Sequence, residues 1–87
     1  MSRIFGIRLY YLRKHKTTYS QTQIAKLLHL DRSTYTKYEC GVTEPSIQTL
    51  RKLKEIFGVS YDELLGEEVS EAEIADYDLF RKNLNNP

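Results

Sequence analysis

Apolar residues along the chain recur three and four positions apart, and each apolar group is preceded by a side chain able to cap a helix. Ser2 can cap a first helix carrying Ile4, Ile7, Leu9, Tyr11 and Leu12, which fades in the polar run His15-Lys16-Thr17-Thr18. Ser20-Gln21-Thr22-Gln23 has the form of a capping box: the Ser20 hydroxyl on the Gln23 amide, the Gln23 side chain reaching back. Behind it, Ile24, Ala25, Leu27 and Leu28 give a short second helix one apolar face, and Asp31 offers a fresh N-cap three residues later. The third helix is expected over about residues 32–40, with Tyr35 and Tyr38 inward and Gly41 as its stop.

Pro45-Ser46 opens a fourth helix with a core stripe of Ile47, Leu50, Leu53, Ile56 and Phe57, ending at Gly58. Ser60-Tyr61-Asp62-Glu63 is a second capping box, for a brief fifth helix with Leu64 and Leu65, closed by Gly66. Ser70-Glu71-Ala72-Glu73 is a third, after which Ile74, Tyr77, Phe80 and Leu84 can form one stripe of a sixth helix. No segment alternates cleanly between apolar and polar residues, so no sheet is expected. The pattern predicts an all-α protein: a compact five-helix domain over residues 1–66, then an acidic tail or sixth helix over residues 67–87. An apolar stripe in that tail needs a partner, whether the fourth and fifth helices, a second copy of the chain or another protein; the plain alternative is a frayed, solubilising tail.

Composition narrows the picture modestly. Eighty-seven residues suit one small domain, and 40% apolar with 29% charged residues is ordinary for a soluble globular protein. No apolar run is long enough to span a membrane, and Arg3 and Arg8 interrupt any signal-peptide h-region. One cysteine, Cys40, excludes an intrachain disulfide framework and a Cys-rich zinc site, and His15 and His29 are too isolated for a metal. A cytoplasmic location is therefore expected, with no metal and no cofactor. No nucleophile–base set is compelled and no glycine-rich phosphate loop exists; the four glycines are all assigned to turns, which argues against an enzyme.

The distribution of charge matters more than its total of +1. Residues 1–54 hold eleven basic and three acidic side chains, net +8, whereas residues 55–87 hold two basic and nine acidic ones, net −7. A chain so divided can turn one part toward a polyanion, although two solvated faces of opposite sign would look the same. The two short helices separated only by His29-Leu30-Asp31 must cross steeply, the geometry of a helix-turn-helix whose second helix projects from the body. That helix sets Arg32, Ser33, Thr36 and Lys37 opposite Tyr35 and Tyr38. Tyr10, Tyr11, Tyr35 and Tyr38 are read as core or half-buried packing with wet hydroxyls rather than as base-stacking groups.

Three segments carry a resemblance. Ser20-Gln21-Thr22-Gln23-Ile24-Ala25, Arg32-Ser33-Thr34-Tyr35-Thr36-Lys37-Tyr38-Glu39-Cys40-Gly41 and Pro45-Ser46-Ile47-Gln48-Thr49-Leu50 resemble the XRE family, the helix-turn-helix domains similar to phage Cro and phage repressors. The similarity runs without a gap from Tyr19 to Leu65, and Leu12-Arg13 extends it into the first helix. It implies a DNA-binding transcriptional regulator, usually a repressor, that acts as a homodimer on a palindromic operator. The alternative is a protein-binding module of the same fold, such as the antitoxin of a toxin pair. Carried over, the resemblance makes Arg32, Ser33, Thr36 and Lys37 base readers. Gln21, Gln23, Thr34, Cys40 and Thr43 become phosphate contacts, with Gln21 also bracing the reading helix, and Glu39 a structural group bonded within the fold. Four departures stand out: His29 at a turn position normally held by glycine, Cys40 where asparagine is common, Lys54 in place of a small apolar residue, and a loop over residues 14–18 one residue longer than expected.

Overall fold

Six helices follow one another in the computed structural model, which describes residues 2–84: α1 (Ser2–Lys16), α2 (Gln21–Leu27), α3 (Arg32–Glu39), α4 (Ile47–Phe57), α5 (Tyr61–Leu65) and α6 (Glu71–Leu84). The side chains of Ser2 and Leu84 lie outside the described residues, and with them the expected Ser2 cap and the Leu84 end of the last stripe. No strand occurs among the described residues, and no helix among them is long and apolar enough to cross a membrane.

The helix starts follow from hydroxyl caps. Ser20, Ser46, Ser60 and Ser70 each accept the backbone N–H three residues on. At Ser20 the box is complete, because Gln23 Oε1 also accepts the Ser20 N–H at 2.8 Å. Asp31 occupies the N-cap position of α3 without a side-chain cap bond. α1 continues through His15 and Lys16, past where polar composition suggested it would fade. The Thr17 hydroxyl ends it by donating to the Arg13 carbonyl at 2.7 Å.

α1 organises the rest because it is apolar on two sides, and a helix of that kind is covered on both. Phe5, Leu9 and Leu12 face the main core with Ile24, Leu28, Tyr35, Leu53, Phe57 and Leu64 from α2 to α5. Ile7 and Tyr10 face the other way, into a second cluster with Tyr77, where Val69, Ile74 and Phe80 pack at its edge. The tail is thus a sixth helix laid on α1, not on the fourth and fifth helices. Tyr10 stacks on Phe80 with centroids 4.3 Å apart, and Arg3 pairs with Asp78 at the exposed edge. A Cα radius of gyration of 12.0 Å matches a compact chain of this length, as it must if α6 folds back.

Four expectations need correction. Leu27 does not share the inward face of α2 with Ile24 and Ala25 but is exposed. Ile47 is not core: it begins α4 in solvent, 69% exposed, leaving Leu53 and Phe57 buried and Leu50 and Ile56 half-buried. Tyr35 does not keep a wet hydroxyl, since the whole residue is buried. Gly6 has no turn duty but sits inside α1, where a Cβ would lie 2.3 Å from the Glu39 carbonyl oxygen. Helical glycine is costly, and here it is what lets the end of α3 approach α1 backbone to backbone.

Candidate nucleic-acid interface

The turn between α2 and α3 is built by a left-handed residue. His29 has φ +57°, the one non-glycine residue at positive φ among those described. Its N–H donates to the Lys26 carbonyl at 3.1 Å and the Leu30 N–H to the Ala25 carbonyl at 2.9 Å, the paired bonds of a Schellman ending. The helix therefore stops sharply, and α3 starts three residues after His29, at Arg32, in a new direction. α3 ends in the same way at Gly41, φ +72°, where Gly41 N–H meets the Tyr38 carbonyl and Val42 N–H the Lys37 carbonyl.

Between those two endings α3 has two characters. Arg32, Ser33 and Lys37 are exposed and Thr34 and Thr36 half-buried, while Tyr35, Tyr38 and Glu39 are buried. Helical geometry places 32, 33, 36 and 37 on one side of the cylinder, so the polar tips share a face, as the sequence suggested. Tyr35 and Tyr38 meet edge to face at 6.3 Å and fix the opposite side in the core.

A buried polar chain ties that fixed side to the body. Glu39 is fully buried; Arg13 donates to both its oxygens, from Nε at 2.7 Å and Nη2 at 3.2 Å. Gln21 Nε2 donates to Glu39 Oε1 at 3.0 Å, and Gln21 Oε1 accepts the Thr36 hydroxyl at 3.1 Å. The chain joins α1, α2 and α3 through groups that cannot be left unpaired without a large desolvation cost. Burial works against the Arg13 charge, but the hydrogen bond and charge of Glu39 outweigh it and raise the guanidinium pKa. Tyr35, beside the pair, is pushed well above the ordinary phenol value by burial first and the Glu39 charge second.

The structure places the expected site residues unequally. Arg32, Ser33 and Lys37 stand free on the α3 face, and Thr43 is exposed in the loop beyond it. Thr36 spends its hydroxyl proton on Gln21. Gln21 is 7% exposed and braces α3 from within, and Gln23 has its oxygen in the α2 cap. Cys40 is half-buried, its thiol pKa raised by burial against the opposing charge of Arg81. Lys54 runs out over the Tyr61 ring, 5.2 Å from its centroid, carrying its charge toward the surface. Sequence reasoning missed Tyr77 and Arg81 of α6, which bond to the backbone at the end of α3.

A family model described as helix-turn-helix matches residues 9–64. The chain is 48% identical over 62 residues to the SPbeta prophage-derived uncharacterized HTH-type transcriptional regulator YonR of Bacillus subtilis (strain 168), covering 71% of this chain and 56% of that protein. It is 44% identical over 61 residues to the HTH-type transcriptional regulator AnsR of the same organism, covering 70% and 52%. It is 36% identical over 63 residues to the control protein C.MunI of a Mycoplasma species, covering 72% and 85%. The chain thus spans about half the length of the two Bacillus relatives. No solved structure matches it. Well over half of the chain lies within the matched span, which contains the whole of the α2–turn–α3 unit, and the chain belongs to the XRE-type helix-turn-helix family of DNA-binding transcriptional regulators.

Proposed function

We propose that this chain is a sequence-specific double-stranded-DNA-binding regulator, a repressor that works by occupying promoter DNA. The observation that carries the reading is the two-sided α3: a buried side locked to α1 and α2 and a free side presenting Arg32, Ser33 and Lys37. A helix held in that way can enter a major groove without losing its place in the core. In this reading Arg32 forks onto the O6 and N7 of a guanine, a contact of about 1–3 kcal/mol in base discrimination. Ser33, Thr36 and Lys37 read neighbouring edges, Thr36 through its methyl group and acceptor oxygen.

Gln21 contributes the amide hydrogen that Glu39 does not use to a phosphate, with Gln23, Thr34, Cys40 and Thr43 around it as further backbone contacts. Two copies would place their α3 helices in successive major grooves, about 34 Å apart, on a palindromic site. Neither a cofactor nor catalysis enters this mechanism, and a cytoplasmic protein is its natural setting.

The test is selection of bound duplexes from a random pool, with the mass of the complex measured alongside. A retained two-fold sequence, bound with a steep loss of affinity as salt rises, is the expected result, because several phosphate contacts release counterions. Arg32→Ala and Lys37→Ala should erase preference for that sequence while leaving helical content intact. A wild-type protein that retains no sequence would remove the reading and leave the protein-binding module in its place.

A further inference from the structure

The C-terminal end of α3 has an accounting problem that α6 solves. A helix leaves its last carbonyls without intrahelical partners. In α3 the turn at Gly41 takes three of them: Cys40 N–H bonds the Thr36 carbonyl, Gly41 N–H that of Tyr38 and Val42 N–H that of Lys37. The carbonyls of Glu39 and Cys40 remain. Tyr77 Oη donates to the first, and Arg81 Nη1 donates to the second at 3.0 Å. Arg81 Nη1 also donates to Tyr77 Oη at 3.3 Å, so the two caps support each other.

Nothing about this contact is peripheral. Tyr77 is 1% exposed, and its hydroxyl lies 3.1 Å from where a Gly6 Cβ would be, so α1, α3 and α6 converge on one carbonyl. The same helix reaches the other side of Glu39 indirectly: Phe80 lies 6.0 Å from the Arg13 guanidinium that holds the Glu39 carboxylate. Glu39 is therefore gripped by its side chain from α1 and α2 and by its backbone from α6. The gripping residues of α6 fall outside the span that the helix-turn-helix family model matches.

We infer that α6 is a strut for the reading helix, and that Tyr77 and Arg81 are positioning residues that set the angle at which Arg32, Ser33 and Lys37 meet DNA. The inference rests on the DNA-binding reading above. It separates two properties usually lost together. A loosened α3 end degrades base contacts, which need fixed geometry, and spares phosphate contacts, which are tolerant of it.

The experiment uses the full chain with Tyr77→Phe, Arg81→Ala and Arg81→Lys. Binding is measured to the duplex selected by wild type and to a scrambled duplex of equal length, across a salt series. Tyr77→Phe should weaken the selected duplex about fivefold, the worth of one hydrogen bond, and leave the scrambled duplex and the salt slope unchanged. Arg81→Ala should do the same, and Arg81→Lys should recover most of the loss because an ammonium can still donate to the Cys40 carbonyl.

In the free protein, amide exchange at Cys40, Gly41 and Val42 should quicken in Tyr77→Phe and stay as in wild type at Ile24 and Leu28. Equal weakening on both duplexes, with a salt slope lower by about one in Arg81→Ala, would make Arg81 a phosphate contact and overturn the strut. Unchanged exchange and unchanged affinity would overturn it too. If wild type selects no duplex, the claim about presentation falls with the DNA reading, while unchanged exchange at α3 refutes the grip itself.

Discussion

The two ends of α3 are made of similar material and treated in opposite ways. At its start, Arg32 and Ser33 are exposed, Asp31 adds no cap bond, and no side chain from another helix is bonded to them among the described residues. At its finish, Glu39 is fully buried, two helices hold its carboxylate and a third holds its carbonyl. A helix of eight residues is too short to be stable alone, so its rigidity has to come from packing. The contrast shows how a small domain offers a reading surface: the rigidity is concentrated on the buried side and at the finish of the helix, and the free start inherits its direction.

The fixed end is where a single change should do the most damage. Glu39→Ala removes the partner of Arg13, whose guanidinium is itself almost fully buried, and leaves that charge uncompensated. Breaking one half of a buried pair costs about 3–5 kcal/mol, a large share of the stability of a domain this size. Urea unfolding should show the loss. Arg32→Ala, at the free end, should change the unfolding free energy by no more than about 0.5 kcal/mol. If the two variants unfold alike, α3 is not anchored at one end.

Gly6→Ala attacks the same end from α1. The new methyl would sit 2.3 Å from the Glu39 carbonyl oxygen and 3.1 Å from the Tyr77 hydroxyl, too close for either to stay. Alanine favours a helix over glycine by about 1 kcal/mol, so an isolated α1 would gain from the change. Overpacking at a backbone contact costs more, about 1–3 kcal/mol, and the separation of α1 from α3 also forfeits the Tyr77 bond. A net loss of about 2 kcal/mol is expected, read as a lower thermal midpoint. A gain would mean that α1 and α3 are not in backbone contact there.

These two residues also mark how far the sequence could be read. Helix starts were legible because a hydroxyl three residues before its amide partner is a local signal, and Ser20, Ser46, Ser60 and Ser70 all act on it. The α3 face was legible because charge and hydroxyl groups fell on one side of a helix with tyrosines on the other. Glu39 was legible as an internal group from the family resemblance. Gly6 was misassigned to a turn, although a glycine between Phe5 and Ile7, with no turn residue near it, is the mark of close backbone approach.

The partner of α6 was not legible either, since an apolar stripe says that something covers it and not what. The clue lay elsewhere, in α1: Phe5, Leu9 and Leu12 on one side and Ile7 and Tyr10 on another give it two faces to cover. Ile47 continued the periodicity of α4 past the edge of the core, where spacing alone cannot tell a buried position from an exposed one.

The smallest predicted effect tests how α3 acquires its direction. α2 and α4 both end on a left-handed residue, His29 at φ +57° and Gly58 at φ +66°, each with the paired backbone bonds that stop a helix. The backbone is the same and the side chain differs, so substitutions should run in opposite directions. A Cβ at Gly58 would meet nothing within 4 Å, which leaves backbone strain as the whole cost of Gly58→Ala, about 1 kcal/mol. His29→Gly relieves that strain and gives back part of the gain by freeing the unfolded chain, for a net stabilisation of about 0.5 kcal/mol. In a domain of this length those values correspond to thermal midpoints lower by about 4–8 °C for Gly58→Ala and higher by about 2–4 °C for His29→Gly. A destabilised His29→Gly protein would show that the imidazole makes a contact worth more than its strain, and that the turn before α3 is held by a side chain as well as by its backbone.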